Sequence, residues 1–489
     1  MKKALLLLIL ALITTHLSAT VEVDNIYYDI NYERRTATVV GATSITALDI
    51  PSEISVMNGN ELQHFSVTAI GGDAFRSSSI TSVNIPGSVT SIGSHAFWAC
   101  RGLTTVTIPG SVTTIGQGIF EDCTGLVSIY IGGGITQIPN QFCSGCTSLS
   151  HVSLPTSVKT IGSSAFNRTA LTSIDLPDGV TFIDSSAFRD CSNLQRANLG
   201  TSLKTIEEKA FCNCTALTNV NFGGNLETIG YMAFHNCTHL QLATLPMSVK
   251  TIGDAAFGQC EAITAFTFGE NIKEVGGQAF GSCHNLTTVT MRCSGTAFRY
   301  DTFWHCQAIK EVHINSLEAW CSYTFGGDFA NPMYYADHLY LNGEEIIDLV
   351  IPPTVTVIHG GAFSFCPNIK SVTFPAAMKR IEGSSFYYTP IEHIYCYAVE
   401  PPDLSGEAFG YNLESKRLHV PEASVDKYKA HDQWRHFWMD EPLELINGID
   451  ATLNDAPDAA HSNAATYDIA GRKTSSGRIV ITAGKKRLQ

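Results

Sequence analysis

The sequence predicts an α/β solenoid, a stack of short parallel strands linked through short helical turns. Phe recurs at positions 75, 97, 120, 142, 166, 188, 211, 234, 257, 280, 303 and 325, then at 363, 386 and 409. Nearly all steps are 22 to 24 residues, with one of 38, and a fixed period of this size marks a repeat array. Before each new Phe the apolar residues alternate, as at Val106 and Ile108, and Cys returns three residues after most of the Phe.

One repeat can be read residue by residue. Leu103, Val106 and Ile108 end in period-2 alternation, so Val106 and Ile108 face one side of a strand and Thr105 and Thr107 the other. Pro109 follows and, lacking an N–H, stops the ladder. Val112 and Ile115 form a second short apolar pair. The spacing of Ile119, Phe120 and Cys123 puts them on one side of a helical turn. The Gly after the Ile, at 93, 116, 162, 230, 253 and 276, gives way to Pro139, Asp184 and Glu207 elsewhere. Pro cannot adopt positive φ, so this corner reads as the start of a helix and not as a left-handed turn. A single coil cannot bury its own Phe. Stacking does, and each buried Phe contributes about 1.5–3 kcal/mol. Some fourteen coils at strand spacing would run to roughly 65 Å.

Taken in order, residues 1–19 read as a secretory leader, with Lys2 and Lys3, an apolar run over 4–13 and a small-residue site at Leu17, Ser18 and Ala19. That run is too short for a stable membrane anchor. Residues 20–64 read as an N-terminal β cap. Ile26, Tyr28, Ile30 and Tyr32 alternate, as do residues 36–40, around Glu33, Arg34 and Arg35, and Asn58 with Gly59 marks a second turn. The solenoid spans 65–420. An aromatic insertion over 315–349, with Trp320, Tyr323, Tyr334 and Tyr335, breaks the period. It is a candidate binding loop, or else a longer repeat filling its own core. Asn342 and Gly343 predict a tight hairpin within it. Residues 421–447 read as a C-terminal cap, with an amphipathic helix over 426–438 presenting Tyr428, Trp434 and Phe437. Residues 448–463 form a polar linker. The tail, 464–489, reads as a small β-rich piece.

Charge narrows the partners. The formal net charge is −14, and it falls further once Lys2 and Lys3 leave with the leader. Nucleic acid and anionic membrane surfaces are disfavoured. The 15 cysteines do not read as a disulfide framework. Cys100, Cys123, Cys191, Cys214, Cys237, Cys260, Cys283, Cys306 and Cys366 share one phase, three residues after a Phe, and Cys146 shares it by its distance from Leu149. Such a column packs as small buried hydrophobes. Serine at Cys237 would then place an unpartnered hydroxyl in the core. Cys143, Cys212, Cys293, Cys321 and Cys396 are off phase and are the better candidates for pairing.

No constellation reads as catalytic or metal-binding, and no cofactor is expected. His235, Cys237 and His239 have ligand-type side chains, but Cys237 is a column residue. Cys283 with His284 and Cys306 with His305 suggest thiol–imidazole pairs, again at column positions. The Gly triplet at 132–134 lacks the strand–loop–helix context and the Lys of a phosphate loop.

The repeated segment AFWACRGLTTVTIPGSVTTIG resembles the leucine-rich repeat of the BspA-like, or Treponema pallidum-type, family. The resemblance covers roughly residues 65–420. It implies a curved right-handed leucine-rich-repeat solenoid of parallel strands and a bacterial secreted or cell-surface, outer membrane-associated location. It also implies adhesion to host proteins, or to other bacteria in co-aggregation. HVPEASVDKYKAHDQWRHF is similar to terminal caps of such proteins from Bacteroidetes. YDIAGRK followed by GRIVITAGKK is similar to type IX sorting tails, with Val480 where Tyr is common. The implied partner is a host extracellular or bacterial surface protein or glycan, bound by a monomer. Outward strand residues are mostly small and polar. Large anchors are few, and Tyr130, Arg196, Tyr334 and Tyr335 are the candidate contacts. The alternatives are a structural scaffold and a glycan-active enzyme with its site in 315–349.

Overall fold

The computed structural model describes residues 19–439 and one antiparallel strand pair, Thr466–Tyr467 with Lys473–Thr474. The leader, the linker and most of the tail lie outside the described residues. The chain divides into two compact units, residues 1–263 and 264–489.

The first unit begins with strands, not coils. Ala19–Val23 pairs antiparallel with Ile26–Asn31, which pairs with Thr36–Ala42. Glu53–Asn58 and Glu61–Ile70 form a hairpin whose loop is Gly59 and Asn60, one residue later than the Asn58–Gly59 signal. Glu61–Ile70 lies parallel to Thr36–Ala42 on one side and to Ser91–Ile92 of the first regular coil on the other. Alternation is what buries Ile26, Tyr28 and Ile30 together.

Coils then follow with two strands each. The longer strands pair in parallel as Thr105–Ile108, Ser128–Ile131 and His151–Ser153, and again as Ser173–Asp175, Arg196–Asn198 and Asn219–Asn221. The shorter ones run in parallel from Gln137–Ile138 to Thr251–Ile252. Between them stand the Phe rings. Phe211 and Phe234 stack at 5.1 Å with planes 2° apart, and Phe188 stacks on Phe211 at 5.1 Å. The expected strand at Ala243 and Leu245 does not form. Ala243 occupies the slot that Val106 fills elsewhere, and it is exposed. A methyl group in that slot does not by itself forbid the strand, since Ala197 fills the same slot fully buried in Arg196–Asn198.

The expected helical turn around each Phe is instead a pair of tight turns. Two residues per coil are left-handed, such as His95 and Ala99 around Phe97, and Met232 and Asn236 around Phe234. Positive φ ends any helix. Neighbouring coils enforce it: the amide of His95 donates to Gln117 at 2.9 Å and that of Ala99 to Glu121 at 2.7 Å. The Gly before this turn does not start a helix either. A Cβ at Gly116 would stand 2.3 Å from the Ser94 nitrogen, so close approach of two coils selects Gly there.

One coil is shifted by a residue. The Phe120 amide donates to Phe142, and the Cys143 amide to Ala165. In regular coils it is the ring-bearing Phe whose amide donates so, as Phe97 does to Ile119. Cys143 therefore occupies the anchor slot, and Phe142 the slot held by Ala96 or Ile119. The ring of Phe142 accordingly meets Phe120 and Phe166 edge-on, at 86° and 79°.

The second unit repeats the plan. Ala265–Phe268, Thr288–Met291, Glu311–Ile314 and His338–Leu341 are parallel. Leu341 then turns back to Glu344 through Asn342 (φ 52°) and Gly343 (φ 90°), a turn that needs two left-handed residues. Asp348–Val350, Ser371–Phe374, His393–Cys396 and Arg417–His419 form the next parallel sheet. Phe325 is not an anchor. It lies in the short strand Thr324–Phe325, paired with Ala297–Phe298, while Ala330 takes the anchor slot beneath Phe303. Within the insertion, Ser316 caps the helix Leu317–Cys321 by accepting from Ala319 N at 3.1 Å. Trp320 and Tyr323 are fully buried. The helix expected over 426–438 is only Val425–Ala430, followed by a 3-10 turn at Trp434–His436, because His431 is extended. Tyr428, Trp434 and Phe437 are nevertheless buried.

All 15 cysteines are buried free thiols. The column residues are more than small hydrophobes. Cys123 donates to the carbonyl of Phe97 at 3.0 Å, Cys146 to Phe120 at 2.9 Å, and Cys237 to Phe211 at 3.2 Å. Each of these three thiols thus reaches the anchor-slot carbonyl one coil back. A serine at Cys237 would find an acceptor, contrary to the expectation from sequence. Thr169 and Thr389, in the same slot, bond carbonyls of Phe166 and Phe363. The off-phase thiols do not pair with each other, because their partners are different groups. Cys293 faces the Tyr323 hydroxyl, Cys396 the Tyr428 hydroxyl and Cys143 the thiol of Cys146.

Candidate binding surface

In the first unit the strand face carries outward rows of hydroxyls and amides. Ser82, Asn84, Thr105, Thr107, Asn219 and Asn221 are all exposed. Some rows are tied side to side: Thr105 meets Ser128 at 3.2 Å and Asn221 donates to Asn198 at 3.0 Å. Tyr130 stands in this face between Thr107 and Ser153, 51% exposed. Arg196 lies between Ser173 and Asn219, its guanidinium 3.7 Å from the Asp175 carboxylate, with both groups open to solvent. Tyr130 and Arg196 occupy adjacent rows three coils apart, about 14 Å at strand spacing. Solvent screens the Arg196–Asp175 pair, so the guanidinium is held loosely and can change partner at little cost.

Tyr334 and Tyr335 belong to a different surface. They rest on turn residues of neighbouring coils, not on the strand rows. Tyr334 meets Phe329 at 4.4 Å and Phe365 at 4.8 Å, and remains 37% exposed. The Tyr335 hydroxyl accepts from the His305 amide at 3.0 Å. Burial pushes its phenol pKa up. That bond ties the insertion to the turn, so Tyr335 is partly structural.

The strand face of the second unit carries larger groups that sequence reasoning passed over. His313 stacks on Tyr340 at 4.8 Å, and Tyr395 on His419 at 4.8 Å. His393 Nδ1 stands 3.2 Å from His419 Nε2. His338 Nδ1 lies 2.7 Å from Glu345, which also accepts from Asn368 at 2.6 Å. The hydrogen bond to Glu345 is the main cause that raises the His338 pKa and lowers that of Glu345. The signal was present in the strands HLYL and HIYC, where His and Tyr fall on the outward positions.

The ligand-type residues go to separate uses. Cys237 bonds Phe211, His239 Nδ1 meets the Thr215 carbonyl at 2.7 Å, and His235 Nδ1 is buried without a partner. Among the described residues no three His, Cys, Asp or Glu gather as a metal site. Gly132 and Gly134 of the triplet serve coil packing, since a Cβ would stand 2.4 Å from the Gly110 nitrogen at the first and 2.1 Å from the Val112 carbonyl at the second. Among the described residues no helix is long and apolar enough to cross a membrane.

Parallel short strands at a 22–24-residue period, with buried anchor rings and a buried thiol in most coils, define a leucine-rich-repeat solenoid. The family described as BspA type leucine rich repeat region (6 copies) matches residues 68–195, 183–310 and 336–428, more than half of the chain. The chain belongs to that family. A leucine-rich repeat protein from Bacteroides ovatus is 22% identical, with a TM-score of 0.50, over 86% of this chain and 100% of that one. A leucine rich cell surface protein from Faecalibacterium prausnitzii is 24% identical, with a TM-score of 0.37, over 63% of this chain and 98% of that one. The T. pallidum leucine rich repeat protein is 25% identical, with a TM-score of 0.33, over 45% of this chain and 91% of that one. No curated protein matches the chain.

Proposed function

We propose that this is a secreted or cell-surface binding protein that engages a host or bacterial surface protein or glycan through the strand face of its coils. The observation that carries the reading is the run of exposed hydroxyl and amide rows, with Tyr130 and Arg196 standing proud of them. Solenoids use such repeated faces as extended recognition surfaces. Tyr334 and Tyr335 add contacts at the insertion. Dispersed contacts without a dense hot spot give about micromolar affinity per copy, raised by display of many copies on a surface. Adhesion or co-aggregation is the corresponding role, and the monomer is the binding unit. The leader routes the chain out of the cytoplasm, and the tail serves sorting at the outer membrane.

The test is capture of host and bacterial surface proteins and of arrayed glycans by the full chain, followed by single substitutions. Tyr130→Ala and Arg196→Ala should each weaken the captured partner several-fold, and Tyr334→Ala should do so where the insertion contributes. A partner that is bound equally by all three variants refutes the strand face.

A further inference from the structure

We propose that the second unit holds a socket for a cationic side chain, an arginine of a basic partner protein, formed by Asp328, Phe325 and Phe365. This rests on the binding reading above and names the partner's chemistry at one point of the surface. The site is a cavity of about 220 Å³ beside the insertion, lined by these three residues, by Asn331, Ser364 and Ser384, and by five glycines. The glycines keep side chains off the walls, which leaves the cavity open.

What faces the cavity is electron-rich. No hydrogen bond or ion pair engages the Asp328 carboxylate among the described residues, and Asp328 is exposed. Two of the polar neighbours are already engaged. Asn331 donates to Gly361 at 2.8 Å and accepts from Met333 at 2.9 Å, and the Ser364 hydroxyl donates to the Ser384 carbonyl. The nearby basic side chains His359 and Arg380 both face Glu382, at 3.1 and 3.2 Å. One carboxylate therefore remains without a counter-charge.

Ring faces complete the socket. Phe365 stacks with Tyr388 at 5.3 Å, planes 23° apart, and Tyr334 packs across Phe365 at 4.8 Å. Tyr388 is 68% exposed. Its phenol pKa is raised first by its hydrogen bond with Tyr387 and more weakly by Asp328, so the carboxylate lies within electrostatic reach of the ring. A flat guanidinium can stack on such a ring while giving two hydrogen bonds to a carboxylate. A neutral sugar would need several donors as well as acceptors, and the Ser364 donor and one Asn331 donor are committed, which leaves chiefly the Ser384 hydroxyl. The chain's net charge of −14 draws basic partners to this surface.

The test uses the full chain and three blocked tripeptides, Gly-Arg-Gly, Gly-citrulline-Gly and Gly-Lys-Gly, with a neutral oligosaccharide as a fourth probe, followed by NMR or calorimetry. The arginine peptide should bind at roughly millimolar Kd, and the uncharged citrulline peptide about tenfold more weakly. D328N, an exposed change that leaves packing intact, should cost about tenfold as well. Tyr388→Ala should weaken binding several-fold, while Tyr130→Ala and Arg196→Ala should leave it unchanged. Equal binding of the arginine and citrulline peptides, no effect of D328N, or binding of the oligosaccharide alone overturns the socket. If the peptide fails while a surface partner is still captured through Tyr130 and Arg196, the socket is wrong and the strand face stands. If the peptide binds and no partner depends on those two residues, the strand face is wrong and the socket stands.

Discussion

The Cys237 thiol donates to the Phe211 carbonyl at 3.2 Å, joining one coil to the anchor slot of the coil before it. A hydroxyl can make the same bond, as Thr389 does to the Phe363 carbonyl one coil back, whereas Thr169 turns to Phe166 of its own coil. Cys237→Ala should lose the bond and open a small cavity, costing about 2 kcal/mol. Cys237→Ser should cost about 1 kcal/mol less than the alanine variant, and Cys237→Thr, which restores volume, less still. Denaturant midpoints check the order. Alanine as stable as serine would mean that the bond contributes nothing.

Burial should also silence these thiols. Desolvation pushes the Cys260 thiol up to about 12, and raises Cys237 well above 9.0. The reactive species is the thiolate, so almost none is present at neutral pH. Labelling by a thiol reagent at pH 8 should be slow for the folded chain and reach all 15 cysteines after denaturation. Fast native labelling of Cys237 or Cys260, located by peptide mapping, would contradict the buried column.

The His338–Glu345 pair gives the strand face of the second unit a pH window. The His338 pKa is raised above 6.5, so its contribution is present below 6.5 and lost as pH rises through the raised value. The Glu345 pKa is lowered below 4.5, so its contribution is present above 4.5 and lost as pH falls through the lowered value. Both are complete only between about pH 4.5 and 6.5. The pair faces solvent, so stability should change little. The readout is the imidazole titration by NMR. Glu345→Gln should bring the His338 midpoint down towards the ordinary value, and an unmoved midpoint would rule out the pairing.

The array was legible in the sequence because nearly every coil buries a ring at one slot, and that demand writes a period. The left-handed turns were not. His95, Gln141, Lys209 and Met232 all adopt positive φ, and none of them is the Gly that such a conformation usually signals. Bonds from the next coil impose it, and those are invisible along a single chain. Tyr130 and Arg196 were legible as outward strand residues by alternation alone. The His and Tyr rows of the second unit obey the same alternation. The cavity at Asp328 was not legible, since it is built from segments 325–331, 360–365 and 383–384 that only the stacking of coils brings together.

The shifted coil offers the sharpest test of how a slot selects its residue. Phe142 and Cys143 divide between them the volume that Ala and Phe divide in regular coils such as Ala165 and Phe166. Phe142→Ala alone should leave a ring-sized cavity and cost about 3–5 kcal/mol. Cys143→Phe alone should overfill the anchor slot beside Phe142 and cost about 1–3 kcal/mol. The double variant restores the regular pair and lets residue 143 stack between Phe120 and Phe166. Its stability should return to within about 1 kcal/mol of the natural chain, a coupling far larger than independent sites show. The measurement is a double-mutant cycle from denaturant midpoints, with thiol loss at 143 confirmed by mass. Additive losses in the double variant would mean that the slots are not interchangeable and that the edge-on geometry of Phe142 is fixed by something other than its place in the register.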